Sequence, residues 1–139
     1  MTWWRNSSRH SNPKTKATLQ RRHHEIVLAF ATACRRGDDA LIARLLTPDV
    51  ELVVDSGGGV ATPAERSEGI HATADLMLRI LGQYPRVALD EQPVNGVPGI
   101  LLRDSGTLVG VVSVGVRRDA ISHIWVVLNP DKLVRFDIG

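Results

Sequence analysis

The order in which the hydrophobic pattern changes its period constrains this chain more than any single motif. Ile26, Val27, Phe30, Ala33 and Cys34 recur at helical spacing from about Thr18 onward. Gly37 ends that stretch as a left-handed residue just past a helix does. Asp38 and Asp39 can then cap a second, shorter helix with Leu41, Ile42, Leu45 and Leu46 on one face, closed by Thr47-Pro48. Residues 50–54 read as a strand. Thr62-x-x-Glu65, with Pro63 at the first helical position, has the form of a capping box. Gly69 opposes a long helix from there, so a loop or short strand to about Ser67 is expected. A third helix then carries Ile70, Ala74, Met77, Leu78 and Leu81 and ends before Pro85.

After that the period becomes two. Residues 86–89, 94–97, 99–102, 108–116 and 120–128 read as strands separated by Asp, Gly, Asn and Pro. The last two form a long hairpin around Arg117, Arg118 and Asp119. Helices first and a run of strands afterwards predict an α+β domain with an antiparallel sheet, not a parallel α/β one.

A chain of 139 residues suits one domain with a real core. Its charge is unevenly spread. The first 25 residues hold Arg5, Arg9, Lys14, Lys16, Arg21 and Arg22 against Glu25, whereas the rest holds 11 basic and 14 acidic residues. The expected division is therefore a basic, disordered arm over 1–17, with Asn12-Pro13 opposing regular structure, and a folded domain over 18–139. Such an arm is usually a solvated end, so direct nucleic-acid binding is not expected; Trp3 and Trp4 could dock onto the body or a partner. No apolar run is long enough to span a bilayer. Thr2, Trp3 and Trp4 followed by basic residues form no secretory leader, so a cytoplasmic protein without membrane contact is expected.

Complete catalytic signatures are absent from the sequence. His23-His24-Glu25 lacks the second histidine of a zinc-hydrolase pattern. His10, His23, His24, His71 and His123 show no ligand spacing, so no metal and no cofactor are expected. Gly57-Gly58-Gly59 has no Lys-Ser/Thr after it and reads as a flexible turn, not a phosphate-binding loop. The single cysteine, Cys34, permits no internal disulfide and reads as a small buried hydrophobe.

The order of elements resembles the nuclear-transport-factor-2-like superfamily. His24-Glu25-Ile26-Val27 through Gly37-Asp38, then Leu45-Leu46-Thr47-Pro48-Asp49-Val50, resembles the opening of its SnoaL-like members. Three further stretches, in order, resemble the C-terminal extension of extracytoplasmic-function sigma factors of the SigJ type. They are Asp55-Ser56-Gly57-Gly58-Gly59, Asn95-Gly96-Val97-Pro98-Gly99 and Asn129-Pro130-Asp131-Lys132-Leu133. The resemblance covers about residues 20–135. It departs at the glycine motif, where Ser56 follows Asp55 and Val60 stands in place of a basic residue.

The resemblance implies a cone-shaped, cystatin-like α+β fold with three helices on a strongly curved antiparallel sheet, pairing as a homodimer through its outer face. It implies a non-catalytic regulatory or protein-contact role in transcription, with a sigma factor or RNA polymerase as partner and Asp55, Gly57, Gly58, Gly59, Asn95, Gly96, Asn129, Pro130, Asp131, Lys132 and Leu133 as contact positions. Asn129-Pro130-Asp131 can also simply end the last strand. The chain has no room for promoter-binding sigma regions, so an accessory domain standing alone is expected. The alternative is an isomerase-like or cyclase-like enzyme, or a binder, with a small apolar ligand inside the cone and a buried Asp or His abstracting a proton. Asp55, His71, Asp75, Asp90, Asp104 and His123 are the candidate bases. His123 leads, because alternation puts it on one face with Ile121 and Trp125. Tyr84, the one tyrosine, stands at a helix end and offers no obvious oxyanion donor.

Overall fold

The computed structural model describes residues 13–56 and 65–128. Three helices, α1 (Pro13–Arg36), α2 (Asp39–Arg44) and α3 (Ile70–Gly82), cover one face of a six-stranded sheet. Its strands are β1 (Leu46–Asp55), β2 (Glu65–Glu68), β3 (Val87–Val94), β4 (Val97–Asp104), β5 (Thr107–Arg117) and β6 (Ala120–Val127).

α1 starts at Pro13, ahead of the periodic stretch; a proline is tolerated at a first helical position, where its missing N–H has no partner to lose. Of the arm expected over 1–17, residues 13–17 are the first turn of this helix, and residues 1–12 lie outside the described residues. At the other end Gly37, at φ 61°, donates from its amide to the Cys34 carbonyl, and the Asp38 amide donates to Ala33. That Schellman closure feeds directly into α2, because the Asp38 carboxylate accepts from the Leu41 amide at 3.1 Å. α2 is shorter than expected. Leu46 and Thr47-Pro48 already belong to β1, where a register shift between Leu46 and Glu51 makes room for the proline.

The strand order is β2-β1-β6-β5-β4-β3. Every neighbouring pair is antiparallel except β1 and β6, which run parallel. Three tight hairpin turns, Asn95-Gly96, Ser105-Gly106 and Arg118-Asp119, all have positive φ at both residues, the mirror-image turn that matches strand twist. The stretch 94–97, expected as a strand, is the first of these turns. Asn and Gly tolerate the left-handed region that the turn demands.

Phe30, Ile42, Leu52, Met77, Ile100, Leu102 and Ile124 are fully buried between the helices and the sheet. Val94, Leu101 and Val111 form a smaller cluster on the opposite face. Gly99 is required where β3, β4 and β5 meet: a Cβ there would stand 2.7 Å from Val94 Cγ2 and 3.1 Å from the Val112 carbonyl. Among the described residues no helix is long and apolar enough to cross a membrane.

Candidate functional site

Because β1 and β6 run parallel, they finish at the same end of the sheet. Asp55 is the register partner of Val127, and the Leu128 amide donates to the Asp55 carbonyl at 2.8 Å. Asp55-Ser56 and Leu128, the described residues that precede Gly57 and Asn129, therefore stand side by side. Gly57, Gly58, Gly59, Asn129, Pro130, Asp131, Lys132 and Leu133 lie outside the described residues. Beside this end of the sheet is a small cleft of about 210 Å³, lined by Val54, Ser56, Glu65, Arg79, Gln83 and Leu128 among others. Asn95 and Gly96 are at the far end of the sheet, in the β3–β4 turn. The described residues next to those stretches, Asp55-Ser56 and Leu128, thus share one end of the sheet, and Asn95-Gly96 lies at the other.

At that far end the N-terminal half of α1 lies beside the β3–β4 hairpin. Between them is a cleft of about 480 Å³ whose walls include Gln20, Arg21, His23, His24, Glu91 and Gly96. Glu91 occupies a strand position facing the helices, and its side chain is only 13% exposed. His24 Nδ1 stands 3.3 Å from Glu91 Oε2, within ion-pair range. The geometry is not that of a hydrogen bond, so Glu91 Oε2 is buried without a hydrogen-bond partner, as is His23 Nε2. Each such orphan costs on the order of 1–3 kcal/mol. The contiguous run His23-His24-Glu25 carries no sign of this group in the sequence. The carboxylate that meets the histidines comes from β3.

The leading base candidate lies elsewhere. His123 is half exposed, on the sheet face away from the helices, with its ring stacked on Trp125 at a centroid distance of 5.5 Å. Its Nε2 is 3.9 Å from Glu51 Oε1. Ile121, expected on the same face, is instead buried in the core. The cause is the register shift opposite Gly115 and Val116, which pair with His123 and Ile121 and leave Ser122 as an extra residue. One extra residue reverses the alternation, so Ile121, Ile124 and Val126 face the helices while His123 and Trp125 face away.

The remaining candidates also lie outside the helix-covered core. His71 and Asp75 are exposed on α3, beside a surface depression shared with α2. Asp90 accepts from Gln92 at 2.7 Å and lies 3.9 Å from Arg103. Asp104 accepts from Ser105 at 3.4 Å. Asp55 is partly buried at the end of β1.

Two exposed ion pairs tie the upper rim together. Arg22 on α1 makes two 2.7 Å hydrogen bonds to Asp119 in the β5–β6 turn, 97 residues later. They hold the Asp119 carboxyl below the usual carboxylate range and raise the Arg22 guanidinium. Asp49 is lowered likewise, first by its 2.6 Å bond from Arg117 and then by Thr47. Cys34 is buried, and desolvation pushes its thiol up to about 12, so it remains a neutral core side chain.

The helix-covered six-stranded sheet has the architecture of the nuclear-transport-factor-2-like cones. A solved NTF2-like protein of unknown function from Mesorhizobium loti superposes with a TM-score of 0.58 at 19% identity, over 86% of this chain and 96% of that one. No family model matches the chain. More specific is the likeness to extracytoplasmic-function sigma factors. The crystal structure of SigJ from Mycobacterium tuberculosis matches with a TM-score of 0.63 and 25% identity, over 86% of this chain and 47% of SigJ. The probable RNA polymerase sigma factor SigI of the same organism is 29% identical over 119 residues, 84% of this chain and 39% of SigI. The chain thus spans less than half the length of either sigma factor. By fold it is an α+β NTF2-like domain, and by sequence it is related to these sigma factors.

Proposed function

We propose that this domain serves a non-catalytic regulatory or protein-contact role in transcription, in the cytoplasm, with a sigma factor or RNA polymerase as its partner. The observation that carries this reading is that Asp55 and Leu128, which precede two of the motifs' stretches in sequence, meet on adjacent strands, in a chain related to SigI and SigJ. Two segments that leave a sheet side by side can form one composite contact surface. The positions of the candidate bases favour contact over proton abstraction: His123 and His71 are solvent-facing, and an effective base needs a desolvated setting. A second copy pairing across the outer sheet face is part of the proposal.

The test is retention of purified RNA polymerase core, or of the sigma regions of the source organism, on the immobilised chain at low salt. Retention is expected for the wild type and loss for the double variant Asp55→Ala, Asp131→Ala. Failure of the wild type to retain either partner would sink the contact reading. Sedimentation equilibrium checks the homodimer, and a monomer at micromolar concentration removes it.

A further inference from the structure

The sheet face away from the helices differs between its two halves. On the β1–β6 half Trp125 is 45% exposed and His123 is half exposed. On the β3–β5 half Val94 is 1% exposed, and Leu101 and Val111 are 0% exposed. The apolar neighbours of this cluster are Leu108 and Val127, both only partly buried. Asp90, Gln92 and Arg103 flank it, are partly exposed themselves, and bond to one another. Side chains stand out from a sheet face, so they lose all accessible surface only when something lies over them. The exposures are those of a single chain, and a second copy therefore does not supply the cover.

The chain offers one fitting segment. Val127, which packs on the cluster, is the last residue of β6. Soon after it, Val134, Phe136 and Ile138 alternate with Arg135 and Asp137, the period of an extended segment with one apolar face. The six residues from Leu128 to Val134 can span about 20 Å, and the three strand spacings from β6 to β3 amount to about 15 Å. Residues 57–64 join β1 to β2 near the opposite edge of the sheet, and residues 1–12 lead into α1 on the helix-covered face and hold no alternating apolar run.

We propose that residues 134–138 form an extended strap over the Val94, Leu101 and Val111 cluster of their own chain. Val134, Phe136 and Ile138 pack on the cluster, and Arg135 and Asp137 stay in water. The strap leaves the β1–β6 half, with Trp125, open to a second copy. The proposal goes beyond the transcription reading and stands without it, because it is measured on the chain alone.

The experiment places a nitroxide on Asp137→Cys in the full chain and follows the methyl signals of labelled valine and leucine by NMR. Cys34 is buried with its thiol pushed up to about 12, so the label goes to the new cysteine. Loss of the Val94, Leu101 and Val111 methyl signals is expected, with recovery when the nitroxide is reduced. The methyls of Leu41 and Leu45, on the helix side, should persist. Adding Val134→Asp and Phe136→Asp to the labelled chain should release the strap and keep the cluster signals. Cluster signals that persist without those changes would overturn the proposal, as would the same loss with them. Loss in a mixture of nitroxide-bearing chain and isotope-labelled chain without nitroxide would overturn it too, because the segment would then come from a second copy. Where the double change abolishes the dispersed spectrum, the single label and the mixture decide the matter.

Discussion

The two ends of the sheet are built from different materials. At the end where β1 and β6 finish together, the link is main chain to main chain, from the Leu128 amide to the Asp55 carbonyl. At the opposite end α1 lies against hairpin tips, and the contacts are made by charged and polar side chains: Arg22 to Asp119, and His24 beside Glu91. The first end is joined through main-chain groups. The second encloses polar atoms that the fold leaves unpaired.

The largest test of this contrast removes what holds α1 on the sheet. Phe30 is fully buried beneath α1, and Phe30→Ala should cost about 3–5 kcal/mol in urea denaturation. A milder loss would mean that α1 is held chiefly by its rim contacts, and the cleft would then be a loosely docked feature. Next comes Glu91→Met. Removing a buried carboxylate whose inner oxygen is unpaired should raise Tm by about 3 °C, as roughly 1 kcal/mol does at this size. A fall in Tm would show that the His24 contact stabilises the fold, and the two ends would be less different than the geometry implies.

The smallest effect is the pH dependence of the rim. Asp119 is held below its ordinary 3.8 by Arg22, so its folded value lies below its unfolded one. That contribution is complete above the unfolded value and disappears as pH falls through the folded one. Asp119→Asn keeps a residue that tolerates the positive φ of the turn. The variant should melt slightly below the wild type at neutral pH, and the difference should close as the acid limb is reached. A constant difference at all pH values would assign the effect to the turn backbone instead of the ion pair.

Much of the fold was legible because its signals are local. Helical spacing through Phe30 and Cys34, the Gly37 stop and the Asp38 cap each concern residues within a turn or two of one another, and each appears in the structure. The hairpin at Arg118 and Asp119 was legible for the same reason. The Asn95-Gly96 turn was in plain view but was absorbed into a strand, because valines on either side extended the apolar run. The site was far less legible. Alternation correctly described each half of β6, yet the extra residue at Ser122 reverses the faces between Ile121 and His123, and a bulge is specified by the partner strand as much as by its own.

The sequence by itself determined the α+β order, the helix boundaries set by glycine and aspartate, the turn chemistry and the kinship with sigma factors. Each of these depends on neighbouring residues or on motifs that keep their order along the chain. Only the tertiary structure decided that β1 and β6 run parallel, so that Asp55 and Leu128 meet, and that His23 and His24 share a cleft with Glu91. Those meetings join residues far apart in the chain. They follow from sheet order and helix placement, which the burial of one shared core selects and which no local pattern encodes.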